Sequence, residues 1–290
     1  MNDFAYAAPT TLEEAAALLA QWGARAKMLA GGTDILVQLR EHLREAEMVV
    51  DVKKIPELTA VEWSAESGLS LGAAAPCYRI YEDASLSAAY GALADSTRIV
   101  GGWQIQSRAS VGGNLCNSSP AADTVPPLIV HQAVCEIVGA HSSRELPAAE
   151  FCTGPGKNVL QEGELLVRMQ LPAPPAHSGS AYLRFIPRNE MDIAVVGAAS
   201  WVRLNDSGDK IEEARIALGA VAPKPVVADE ASQWLEGRPA TEESFAKAGD
   251  LARKVATPIS DMRGTDEYRK HLVGVLVKRT LATAVERAKA

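Results

Sequence analysis

Two short stretches concentrate the residues that could do chemistry. One is Leu-Ala-Gly-Gly-Thr-Asp-Ile at 29–35. The other is Ser-Val-Gly-Gly-Asn-Leu-Cys-Asn-Ser-Ser-Pro-Ala-Ala-Asp at 110–123. Each follows an apolar stretch and sets a glycine pair before small polar residues. Glycine admits positive φ and lets a ligand approach backbone N–H groups closely. Consecutive N–H groups pointing one way form a nest for an anion. Helix starts expected at Thr33 and near Pro120 would add positive dipole ends. Thr33, Ser110, Asn114, Asn117 and Ser118 supply neutral donors, so a diphosphate could be held without Lys or Arg. Asp123 could accept from ribose hydroxyls. Neither stretch is a GxGxxG fingerprint or a P-loop. On residues alone the reading is a nucleotide or dinucleotide site built from two glycine loops, with tight turns as the alternative.

The rest of the composition narrows the classes. The chain has 290 residues and a formal net charge of −7, which speaks against nucleic-acid binding as the main role. No run of about 18 apolar residues suggests a membrane span. The N-terminal residues MNDFAYAAPTTLEEAA lack the pattern of a signal peptide, so a cytoplasmic location is expected. Cys77, Cys116, Cys135 and Cys152 form no CxxC and have no histidine at metal-ligand spacing. They are expected to be small buried hydrophobes, with no metal or iron–sulfur site in this chain.

The elements that must position the loops follow from periodicity and punctuation. The first fifty residues read as strand–helix–strand–helix–strand. Thr11 and Glu14 form a capping box for a helix from Leu12 to about Trp22, and Gly23 stops it. Residues 26–30 and 48–52 read as buried strands, and 33–43 as a helix. Strands are expected near 60–63, 68–73, 133–139 and 164–171, and helices over 78–99 and 125–131. Three prolines within 171–181 mark a domain boundary. Beyond it, 181–187, 194–204 and 211–220 read as strands, and 227–235, 241–255 and 265–287 as helices. Both halves are α+β.

The two loops, in this order and about eighty residues apart, resemble the FAD-binding medium subunit of the molybdenum hydroxylases, the xanthine dehydrogenase and carbon monoxide dehydrogenase family. KMLAGGTDI (27–35) resembles its first flavin loop and ASVGGNLCNSSPAAD (109–123) its second. GELLVRMQLP (163–172), YLRFIPRNEMDIAVVGAA (182–199) and TPISDMRGTDEYRKHL (257–272) extend the likeness over nearly the whole chain. The resemblance implies a two-part FAD-binding domain of the p-cresol methylhydroxylase/vanillyl-alcohol oxidase type over 1–173, with subdomains of about 1–54 and 55–173. A small α+β domain would follow over 178–290, with a three-stranded antiparallel sheet and helices.

The implied site residues are Lys27, Met28, Leu29, Ala30, Gly31, Gly32, Thr33, Asp34 and Ile35 in the first loop, from Leu29 on around the FAD diphosphate. In the second loop, Ser110, Gly112, Gly113, Asn114, Asn117 and Ser119 fall on the cofactor. Asp123 matches an adenosine-side carboxylate. Val100 packs near the adenine or the ring system, and Leu166 and Arg184 lie near the flavin. Cys116 stands where relatives often carry an aliphatic residue near the isoalloxazine, and Ile193 where the carbon monoxide-type members carry a tyrosine. His42, His131, His141, His177 and His271 lie outside both loops, so FAD is expected to be non-covalent.

The resemblance makes the chain an electron-transfer subunit. Molybdenum cofactor and 2Fe-2S clusters are then expected only on partner chains, a large molybdenum subunit and a small iron–sulfur subunit, in a dimer of heterotrimers. The competing readings are a stand-alone flavin oxidase or dehydrogenase and a non-catalytic nucleotide-binding assembly module. The loops offer no acid–base pair, which disfavours the stand-alone enzyme.

Overall fold

The computed structural model describes residues 2–290. A three-stranded parallel sheet opens the chain, with strands Ala5–Ala7, Met48–Asp51 and Ala26–Leu29 in that spatial order. The central strand is buried along its whole length, because Ala15, Ala16 and Leu19 of helix Leu12–Trp22 pack with Met48 and Val50 on one face and Leu39 and Ala46 pack with Val49 on the other. That helix starts and stops where the sequence places it. The Thr11 hydroxyl accepts from Glu14 N at 3.2 Å, and Gly23 follows at φ +53°. The Glu14 carboxylate returns to Thr10 N rather than to Thr11, so the box is one residue wider than its usual form.

A five-stranded antiparallel sheet follows, in the order Val61–Ser64, Gly68–Gly72, Leu165–Leu171, Val134–Val138, Ser143–Pro147. Leu165–Leu171 returns from far along the chain to the centre of this sheet, and its ladder with Val134–Val138 shifts register between Leu166 and Arg168. A bulge of this kind leaves one residue unpaired and bends the strand; here it is Val167, next to Leu166. Expected helix 78–99 is three short helices, Tyr78–Tyr81, Ala84–Ala89 and Gly91–Thr97.

The C-terminal sheet runs Ser178–Phe185, Val196–Leu204, Ile211–Gly219, with the two-residue strand Val226–Val227 at its edge. Side chains alternate between its faces. Ala181, Ala198, Val202, Ile216 and Leu218 face a core shared with helices Asp229–Leu235, Glu242–Ala252 and Asp266–Lys289. Tyr182, Ala199, Trp201 and Ala217 face the other way and pack on Ala92 and Val130 of the first half. Strand Val196–Leu204 is therefore buried on both faces, which explains its near-continuous apolar run.

The seam between the halves is rich in polar bonds. Arg215 stacks 3.7 Å from the Trp201 ring and donates to Val130 O at 2.7 Å. Arg287 grips Asp95 with two bonds of 2.7 and 2.9 Å. His131 Nε2 lies 3.0 Å from Ser180 Oγ, which accepts from Ala92 N. Burial and the neighbouring Arg215 push the His131 imidazole down to about 3, so it is neutral.

Candidate functional site

The two glycine loops meet at one cavity of about 270 Å³. The first loop leaves strand Ala26–Leu29 and enters helix Ile35–Arg40. The helix starts at Ile35, two residues later than expected, and its N-cap Asp34 makes no capping bond. The second loop is itself a helix, Val111–Asn117, which the sequence places only after Pro120. Two glycines and two asparagines in seven residues are poor helix formers. Burial of Val111 and Leu115 and the Ser110 N-cap, whose hydroxyl accepts from Gly113 N at 3.0 Å, hold it.

The glycines have separate reasons to be glycine. A Cβ on Gly31 would lie 2.0 Å from Arg108 O, so the first loop rests directly on the backbone leading into the second. Gly32 sits at φ +82°, where a side chain is strained. A Cβ on Gly112 would lie 2.5 Å from Ala73 Cα. Gly113 is different. Its Cβ would meet only the Ser110 hydroxyl, at 2.9 Å, and its φ is not positive. No backbone contact requires glycine at 113, while the residue lines the cavity.

The wall polar groups are oriented by neighbours. Asn114 Oδ1 accepts from Thr124 Oγ1 at 2.7 Å and Thr124 N at 3.3 Å. Asn117 Oδ1 accepts from Gln38 Nε2 at 3.0 Å, which ties the two loop helices together. Asn158 Nδ2 donates to Cys116 O at 2.8 Å. Behind the first loop, Lys53 Nζ donates to Ala30 O at 2.9 Å and to Asp51 at 2.6 Å, and Tyr6 donates to the same carboxylate at 2.7 Å.

The structure gathers most of the expected residues: Lys27, Met28, Ala30, Gly31, Gly32, Thr33, Asp34, Ile35, Val100, Ser110, Gly112, Gly113, Asn114, Cys116, Asn117 and Leu166 all line the cavity. Sequence reasoning missed Gln38, Arg44 and Asn158, which line it too. Lys27, expected there from the family likeness, and Arg44 both line the cavity, so basic side chains join the neutral donors. Burial, and then Arg44, lowers the Lys27 ammonium. Burial raises the Asp34 carboxyl, and Arg44 opposes that rise. Burial pushes the Cys116 thiol up to about 12, so it is a neutral thiol rather than a nucleophile.

Leu29, Ser119, Asp123 and Arg184 stand outside the cavity wall. Leu29 packs with Leu39, Ala46 and Val49, and the Ser119 hydroxyl accepts from Ala121 N at 3.3 Å. Asp123 is buried in the domain seam. One carboxylate oxygen accepts from the Tyr182 hydroxyl at 2.8 Å and the other from the Arg184 guanidinium. Burial raises the Asp123 carboxyl against the pull of both partners. Arg184 borders a second cleft of about 560 Å³, between Arg98, Arg287 and the strand Ser178–Phe185. Ile193 is exposed.

These features fit a dinucleotide. The cavity offers one open glycine, amide donors and two cations against a single carboxylate, which suits an acidic diphosphate. Val100, Leu58, Leu166 and Ala74 give an apolar part suited to a ring. Among the described residues no group of three His, Cys, Asp or Glu side chains could hold a metal ion, and no helix is long and apolar enough to cross a membrane.

Comparison with known proteins agrees with that chemistry. A family profile described as the FAD binding domain in molybdopterin dehydrogenase matches residues 2–174, and one described as the CO dehydrogenase flavoprotein C-terminal domain matches 181–284. The chain is 34% identical to the xanthine dehydrogenase FAD-binding subunit of Escherichia coli O157:H7, over 99% of this chain and 98% of the relative. It is 31% identical to the carbon monoxide dehydrogenase medium chain of Hydrogenophaga pseudoflava, over 97% and 96% of the two chains. The solved carbon monoxide dehydrogenase of that organism, in a form lacking the Mo-pyranopterin moiety, superposes with a TM-score of 0.93 at 31% identity over 99% and 98% of the chains.

Proposed function

The chain belongs to the FAD-binding domain family of the molybdopterin dehydrogenases, and on that premise we propose how its residues serve the activity. It is the FAD-binding electron-transfer subunit of a molybdenum hydroxylase, an oxidoreductase component that carries electrons from partner iron–sulfur clusters to an external acceptor. Its partners are a large molybdenum-cofactor subunit and a small iron–sulfur subunit, in a dimer of heterotrimers in the cytoplasm. The FAD-binding domain spans 1–173, divided near 54, and the C-terminal domain 178–290. The observation that carries this reading is the single cavity between two glycine loops, with donors and cations on its wall.

Bound FAD supplies the redox chemistry. The residues of this chain bind and orient it. Gly113, Asn114, Asn117, Thr33 and Lys27 take the diphosphate and adjoining ribityl hydroxyls. Val100 and Leu166 exclude water from the ring. Asp123 and Arg184 act on the site from behind, by fixing where the second loop meets the C-terminal sheet. No histidine lines the cavity, which supports a non-covalent cofactor.

An absorbance spectrum of the purified chain, alone and in its co-purified complex, tests the reading. Oxidised-flavin bands and a heat-released mass equal to FAD are expected. A complex free of flavin that takes up none from excess FAD would overturn it.

A further inference from the structure

We propose that Thr124 is a positioning residue that fixes the polarity of the cavity at Asn114, so that the second glycine loop presents a donor there and selects an acceptor-only group, a phosphate ester of the bound dinucleotide. The inference rests on the assignment of the cavity to FAD and adds a residue outside its wall.

A carboxamide can turn either its oxygen or its NH₂ toward a ligand, and the two ends look alike in shape. At Asn114 the choice is forced. Thr124 N is a backbone amide and can only donate, and it lies 3.3 Å from Asn114 Oδ1. The Thr124 hydroxyl reaches the same oxygen at 2.7 Å. Turning the amide over would set NH₂ against N–H and leave two buried donors facing each other. Thr124 is fully buried, so water cannot replace the lost acceptor. The oxygen therefore stays on Thr124, and the planar group points Nδ2 away from it, on a residue that lines the cavity.

The Asn114 backbone is held as well. Its N–H donates to Ser110 O at 2.9 Å, and Gly113 beside it leaves open space. A phosphate oxygen fits such a place because it accepts from every donor and offers none. A sugar hydroxyl could use either end of an amide and would gain nothing from the clamp.

Two substitutions test this by FAD titration of the purified protein, followed by flavin fluorescence, with thermal unfolding of each apoprotein beside it. Asn114→Asp keeps an oxygen for Thr124 and turns an anionic oxygen to the cavity. It should retain the wild-type melting temperature and lose more than about tenfold in FAD affinity. Thr124→Val removes the hydroxyl at constant shape and should lose about 3- to 10-fold, with Thr124→Ser restoring the wild-type value. FAD affinity of Asn114→Asp equal to or tighter than wild type would overturn the proposal, since the cavity would then be using the oxygen. So would a Thr124→Ser protein as weak as Thr124→Val. Because Asn114→Asp alone decides the polarity, the test survives a Thr124→Val protein that fails to fold. A wild-type protein that binds no FAD would instead overturn the underlying assignment, and this inference with it.

Discussion

The cavity between the glycine loops and the seam between the two halves are both polar, yet they spend their polar groups differently. In the seam each ionisable group meets a partner inside the protein. Asp123 is bonded by Tyr182 and Arg184, Asp95 by Arg287, His131 by Ser180. In the cavity the two asparagines of the second loop are held by one end only. Asn114 and Asn117 give their oxygens to Thr124 and Gln38 and keep their amide hydrogens for something else. A polar cluster satisfied from within holds a fold together; one oriented from behind and open in front awaits a ligand. Substitutions in the seam should therefore cost stability, and substitutions in the cavity should cost FAD affinity.

The largest effect should come from Arg184→Met. It leaves the Asp123 carboxyl buried without its cation, and unfolding in urea should show a loss of about 3–5 kcal/mol. A loss of FAD with unchanged stability would break the comparison, by placing Arg184 on the cofactor side.

A smaller effect on the seam is tied to pH. His131 is held neutral down to about pH 3, against an ordinary value of 6.5. Between those values the unfolded chain binds a proton that the native one does not. Stability from this group is therefore complete above about 6.5 and falls as the pH drops, by about 2 kcal/mol between pH 6.5 and 5. Urea midpoints over that range should be steeper for wild type than for His131→Gln. Parallel slopes would show that the imidazole charges in place.

The smallest of the three concerns the cavity. Asn114→Ala should weaken FAD by about tenfold, the value of one charge-assisted hydrogen bond. Its stability should fall by about 1 kcal/mol, no more than the loss in affinity, because the buried Thr124 amide and hydroxyl lose their acceptor. A larger fall in stability than in affinity would place Asn114 with the seam residues.

How much of this was legible in the sequence follows the same division. Helix Leu12–Trp22 and the three long C-terminal strands could be read because each has a local signal, a cap or an alternation. Helix Val111–Asn117 could not, since Gly-Gly and two asparagines contradict its propensity and only the Ser110 cap and the burial of Leu115 sustain it. The strand Ser143–Pro147 was missed because it is an exposed edge with charged residues, and Val226–Val227 because two residues carry no period.

In the site, the loops announced themselves by glycine density. Gln38, Arg44 and Asn158 did not, being ordinary polar residues that tertiary folding brings to the wall. Asp123 and Arg184 carried the family likeness, but their position in the seam depends on a strand some sixty residues away from Asp123. Gly197 opposite Arg184 is part of that arrangement. A Cβ there would lie 2.4 Å from the Tyr182 hydroxyl, so the glycine leaves that hydroxyl room to reach Asp123.

Gly113→Val tests the central claim most directly, by FAD titration of the variant against wild type with the melting temperature of each recorded. Gly113 is the one glycine of the four with neither a positive φ nor a backbone atom in its side-chain space, so a valine there should fill room reserved for the cofactor. The variant should be a folded protein, weakened by no more than the loss of a helix cap, about 1 kcal/mol, that no longer takes up FAD. A folded Gly113→Val protein that binds FAD as wild type does would contradict the central claim, because the cavity between the loops would then not be where the diphosphate lies.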